Sequence, residues 1–171
     1  MSSAPEPSLV VERDGPAVVL TMNRPEQRNA LSLDMLVRLA DAWDDIEADA
    51  TVRAAILTGA GGHSCTGGGC EMLQQTDIRI AEEALRWGLV THVVPTGEGL
   101  AKAKEIAALV AAAGPISVAT TKASAIETGW LPEDEARTIE NEYTAKVTKS
   151  DDAKEGVRAF VEKRTPSWTG T

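Results

Sequence analysis

The run Gly67-Gly68-Gly69-Cys70-Glu71 holds residue types that handle developing negative charge beside a movable proton. Glycines let a backbone approach a ligand closely, and N–H groups at a helix start point outward without intrahelical partners. Cys70-Glu71-Met72-Leu73-Gln74-Gln75 reads as such a start. Two backbone N–H groups aimed at one oxygen stabilise the oxyanion of acyl chemistry. Glu71 follows Gly68 on the same opening turn, so its carboxyl reaches the same pocket and can take or give a proton there. In isolation, the commoner reading of such a run is a flexible loop with a surface Glu.

Other candidate groups point to less. His63, Cys65 and Cys70 lack a fourth ligand and fit no standard zinc spacing, so no metal is expected. Gly59-Ala60-Gly61-Gly62 opens no helix in a G-x-G-x-x-G pattern, so it is not a dinucleotide fingerprint. His92 sits in an apolar run and reads as structural. The 171 residues carry 17 Lys and Arg against 26 Asp and Glu, a net charge of −9. That charge, with no basic run, argues against nucleic acid as a partner. No stretch approaches the roughly 18 apolar residues of a membrane helix. The N-terminus is polar and reads as neither a secretory signal nor a transit peptide. Two cysteines make no disulfide scaffold, so a reducing cytoplasm is the expected compartment. With one Phe, one Tyr and four Trp, aliphatic residues and alanine must fill the core; the Trp residues are core or interface candidates.

The elements that must position these groups follow from pattern. Leu9–Glu12 and Ala17–Met22 are β-branched runs flanking the turn residues Asp14-Gly15-Pro16, which predicts a hairpin. A polar loop, Asn23–Ala30, follows. Ser32 can cap a helix whose apolar positions are Leu36, Val37, Leu39, Ala40, Trp43 and Ile46, with Asp41, Asp44, Asp45 and Glu47 facing water. The apolar run Ala54–Thr58 suits a strand buried on both faces. Asp77–Ala81 alternates and reads as a strand; Glu82–Trp87 reads as a short helix stopped by Gly88, and Leu89–Val94 as another strand. Helices are expected over Leu100–Ala113, Ile116–Glu127, Glu133–Lys149 and Ala153–Lys163, the last capped by Ser150 or Asp151. The order is α/β in front of a helical tail.

Five segments, in order, resemble the enoyl-CoA hydratase/isomerase (crotonase) superfamily. They are Met22–Leu31, Ile56–Cys65, Gly67–Leu73 running into Thr76–Ala81, Glu82–Val90 with Val93-Val94-Pro95, and Ser150–Arg164. Within the family they look most like bacterial, actinobacterial-type members. The resemblance implies a ClpP/crotonase-like spiral of ββα units over residues 1–95 and a C-terminal helical trimerisation region over 96–171. It implies an enoyl-CoA hydratase, adding water to a trans-2-enoyl-CoA to give the 3-hydroxyacyl-CoA. Gly68 then supplies one oxyanion N–H and Glu71 is one of two catalytic acids. Arg28 and Ala30 lie in the loop that lines the CoA nucleotide pocket, where a cation suits phosphate; a solvated loop Arg is the even alternative. Lys163 helps bind CoA, or else complements the dipole of the closing helix. No cofactor is implied, the CoA thioester being substrate, and the assembly would be a homotrimer or a hexamer of two trimers. Isomerase or other acyl-CoA chemistry, and a catalytically silent acyl-CoA-binding paralogue, are the alternatives.

Two joins depart from the family pattern. Cys65-Thr66-Gly67 passes straight from one motif into the next, and Ala81-Glu82 joins two others directly. The family stretches that carry the second oxyanion donor and the second acid fall at these joins. Losing a central strand would leave buried backbone groups unpaired. The expectation is therefore omitted stretches, with separations within 65–70 and 80–83 beyond the ~3.8 Å of bonded Cα atoms; the alternative is a deletion variant, which bonded distances at both joins would establish and which would remove the case for hydratase activity.

Overall fold

The structure, a computed structural model, describes residues 6–62 and 78–171. Two compact units divide the chain, Met1–Ala108 and Leu109–Thr171.

In the first unit the hairpin forms as its turn chemistry requires. Strand β1 (Leu9–Asp14) pairs antiparallel with β2 (Ala17–Met22), Asp14 opposite Ala17. Gly15 takes φ 56°, the left-handed value a two-residue hairpin needs at its first central position. Ser32 then caps helix α1 (Leu33–Ala48), its hydroxyl oxygen accepting from Met35 N–H at 3.2 Å. The chain returns as β3 (Ala54–Gly59), parallel to β2, giving the order β1-β2-β3.

Alternation along β2 builds two cores. Val18, Leu20 and Met22 pack with Leu9, Met35 and Ala42 on the α1 side. Ala17 and Val19 pack with Ile56 and Ala107 on the other, where helix α3 (Gly99–Ala112) lies. The doubly buried strand is thus β2, not β3. As the end of the sheet among the described residues, β3 buries Ile56 but leaves Leu57 49% exposed. On α1 Met35 and Ala42 are buried and the expected Leu39 and Ile46 are partly buried beside them, while Leu36, Val37, Ala40 and Trp43, also expected on the apolar face, are exposed. Both stripes satisfy helical spacing, so periodicity could not choose between them; the approach of β1 and β2 did.

The ends of this layer are tied by polar contacts. Arg13 reaches Asp49 and the Thr51 hydroxyl, both at 2.7 Å. The Thr51 hydroxyl, Arg13 and the Thr51 N–H hold the Asp49 carboxyl down at about 2. These groups are exposed, so the pair contributes little to stability.

Residues 78–81 are helical, not extended: α2 runs Ile78–Arg86. The alternation of Ile78 and Ile80 is too short to outweigh the run of helix formers Ala81, Glu82, Glu83, Ala84 and Leu85 behind it. Helix α2 runs through 81–82. Gly88 ends the helix with φ 73°, and Leu89 N–H returns to the Ala84 carbonyl at 2.9 Å. Leu89–Val94 joins no sheet; exposed His92 pairs only with its neighbour, the Thr91 hydroxyl at 3.1 Å, among the contacts described. Its β-branched residues had no strand edge to pair with among those described.

In the second unit α4 (Pro115–Thr128) packs on α5 (Glu133–Thr148), and α6 (Asp151–Glu162) follows. Ser150, not Asp151, caps α6, accepting from Ala153 N–H at 3.0 Å. The tail then folds back over that helix start. Asp152, 5% exposed, accepts from Thr169 N–H at 2.7 Å, the Thr169 hydroxyl at 3.1 Å and Gly170 N–H at 3.0 Å. The Thr171 carbonyl accepts from the Asp151 and Asp152 N–H groups. Trp168 donates its indole N–H to the Ala112 carbonyl at 2.8 Å and lies over Gly156, where a Cβ would come within 3.3 Å of the ring. That contact accounts for a glycine in mid-helix. Arg164 grips Glu155 with two nitrogens, and Ser167 N–H adds a third bond, holding the Glu155 carboxyl at about 2. Of the four Trp residues none is core: Trp43, Trp87 and Trp130 are exposed and Trp168 is half-buried.

Candidate active site

Parallel strands carry their loops at one edge, and in α/β sheets ligands bind outside the carboxyl ends of the strands. β2 and β3 end at Met22 and Gly59, opposite one another in register. Their loops, Asn23–Ser32 and Ala60–Gly62, therefore leave the sheet side by side.

The first loop opens with a one-turn 3-10 helix, Pro25–Gln27, and then two consecutive left-handed residues, Arg28 at φ 48° and Asn29 at φ 56°. Two adjacent non-glycine residues in that region cost energy and persist only where surroundings over-determine them. Asn29 shows the surroundings. It is fully buried, its Oδ1 accepts from Arg24 N–H at 2.9 Å, and its Nδ2 donates to the Ala60 carbonyl at 2.9 Å. Arg24 Nη1 donates to the Ala30 carbonyl at 2.7 Å. Gly61, at φ 72°, lies so close to Pro25 that a Cβ there would stand 2.7 Å from the proline Cβ. The two loops are one packed body.

Of the five residues singled out from sequence, this body holds two. Arg28 is exposed beyond the buried Asn29 and Ala30 is half-buried beside it. Lys163 belongs to the other unit, exposed at the end of α6 with φ 53°, its N–H returned to the Ala159 and Phe160 carbonyls. Gly68 and Glu71 lie outside the described residues, as do His63, Cys65, Cys70 and the 65–70 join. Sequence reasoning passed over Asn29 and Arg24. The available signal was an Asn in a polar loop after a strand, the residue that best tolerates a left-handed backbone while bonding it.

A family model for enoyl-CoA hydratase/isomerase matches this chain over residues 12–80 and again over 69–171. The chain belongs to that family. It is 32% identical to enoyl-CoA hydratase EchA19 of Mycobacterium tuberculosis, the alignment spanning 95% of this chain and 96% of that protein. It is 26% identical to the short-chain-enoyl-CoA hydratase of Clostridium acetobutylicum, over 92% of this chain and 95% of that one. The crystal structure of enoyl-CoA hydratase EchA1 from Mycobacterium marinum superposes with a TM-score of 0.87 at 26% identity, covering 97% of this chain and 100% of that one. The fold is the crotonase fold, and the β1-β2-α1-β3 layer is a piece of its ββα spiral.

The alignment to EchA19 runs over 256 positions, 85 more than the 171 residues here, so at least 85 positions of it face no residue of this chain. The family model likewise matches in two pieces that overlap at 69–80. Interior positions of EchA19 thus have no counterpart among these 171 residues. A groove of about 460 Å³ lies between β1 and α1, and no residue of the two loops lines it. Its rim sets Asp41, Asp45 and Asp49 against Arg13 and Arg38.

Proposed function

We propose that the chain is an enoyl-CoA hydratase, a lyase of fatty-acid metabolism acting in the cytoplasm. The observation that carries this is likeness along nearly the whole chain to two proteins named as such hydratases. Water adds across the 2,3-double bond, its oxygen to C3 and a proton to C2. Charge develops on the thioester oxygen as the enolate forms, and the Gly68 N–H receives it. The Glu71 carboxyl moves the proton. Arg28 and Ala30, on the strained loop, face the nucleotide end of CoA; Lys163, taken by itself, is a further CoA-binding cation. No cofactor enters; the CoA thioester is the substrate.

Crotonyl-CoA loses its conjugated thioester absorbance on hydration. We expect the purified chain to remove that absorbance; a chain that binds butyryl-CoA yet leaves crotonyl-CoA intact would overturn the hydratase and establish an acyl-CoA-binding paralogue. The second reading is favoured by one observation, the interior positions of EchA19 that this chain lacks.

A homotrimer, or two stacked trimers, suits the exposed stripe Val157, Phe160 and Val161 at helical spacing on α6, with Phe160 85% exposed. Light scattering should return a multiple of three chains, and Phe160→Glu should give monomers. A monomeric unmodified chain removes the assembly.

A further inference from the structure

We infer that Asn29 is a positioning residue for acyl-CoA, holding the Arg28–Ala30 loop in its binding shape by latching it to the β3 loop. The inference rests on the acyl-CoA reading of that loop. Its own evidence is the geometry. A fully buried amide spends its acceptor on Arg24 N–H and a donor on the Ala60 carbonyl, each at 2.9 Å. The bonds run from a residue held at φ 56°, directly after Arg28 at φ 48°. The second bond spans 31 residues of sequence, so it serves no local turn. It joins two loops that also meet at the close fit of Gly61 on Pro25. A left-handed pair kept by tertiary bonds is a shape the loop would not adopt alone. Such a shape presents the Arg28 side chain and the Ala30 backbone from one fixed frame, with little ordering left for the ligand to supply.

Two variants separate the latch from the backbone. Asn29→Gly adopts the same φ freely but has neither side-chain bond. Asn29→Asp keeps the acceptor for Arg24 and sets a carboxylate oxygen against the Ala60 carbonyl. Both should weaken butyryl-CoA binding by calorimetry about tenfold or more. KM for crotonyl-CoA should rise by a like factor while kcat stays within about twofold, the pattern of lost uniform binding. A merely structural Asn29 would lower the melting temperature and leave Kd and KM unchanged in the folded protein, which overturns the inference. The unaltered protein supplies an independent reading. Hydrogen exchange at Arg24 N–H, the proton that Asn29 holds, should slow about tenfold at butyryl-CoA concentrations ten times Kd. Unchanged exchange also overturns it. Binding without turnover removes the hydratase reading and leaves the inference to the Kd values. Turnover with unaltered Kd and KM in both variants removes the inference and leaves the reading.

Discussion

Glu71→Gln should lower kcat for crotonyl-CoA hydration by about 10²–10⁴-fold, the range general acid–base groups supply. At 1.36 kcal/mol per tenfold this is about 3–5 kcal/mol of transition-state stabilisation. Gln matches the shape of Glu and keeps an oxygen, but it neither accepts nor delivers a proton at working pH. KM should move little, because the lost interaction belongs to the transition state and not to bound substrate. The melting temperature should also hold. Stopped assays on matched preparations, with circular dichroism alongside, read all three quantities. Turnover within twofold of the unaltered chain would remove Glu71 from the chemistry and, with it, the proposed role of the glycine run.

Asp152→Ala should be the most damaging single change to stability outside the apolar core. The carboxylate is nearly fully buried and accepts three hydrogen bonds from Thr169 and Gly170. Hydrogen bonds to a charged group contribute more than neutral ones, and their loss strands the donors. A cost of about 2–4 kcal/mol follows, a fall of roughly 4–16 °C for a chain of this size. The tail amides of Thr169 and Gly170 should lose exchange protection at the same time. Asp151→Ala is the control. Its carboxylate is exposed and, among the described residues, pairs with Lys154 at 2.7 Å, so its removal should leave the midpoint nearly unchanged. Equal effects from the two substitutions would mean that the tail does not depend on the buried carboxylate.

Much of the local structure was legible in the chain. Gly15 in its turn, Ser32 and Ser150 at helix starts and Gly88 at a helix end act within a few residues of themselves, and the four C-terminal helices lie within two residues of expectation. Where the reading failed, the deciding partner was distant. Alternation at Asp77–Ala81 and β-branching at Leu89–Val94 describe strands only if a neighbouring edge exists, and none among the described residues receives them. The apolar stripe of α1 had two admissible faces, and the hairpin chose Met35 and Ala42.

The sequence by itself determined membership of the enoyl-CoA hydratase/isomerase family, the N-terminal hairpin, the helical tail, and the glycine-and-glutamate run that bears the proposed chemistry, because family motifs and local capping are written in contiguous residues. Tertiary structure alone decided that β2 is the strand buried on both faces and that Asn29 welds two loops at the ends of β2 and β3. Hydrogen bonds across 31 residues leave no local trace, since neither partner's neighbours reveal which carbonyl an amide will find.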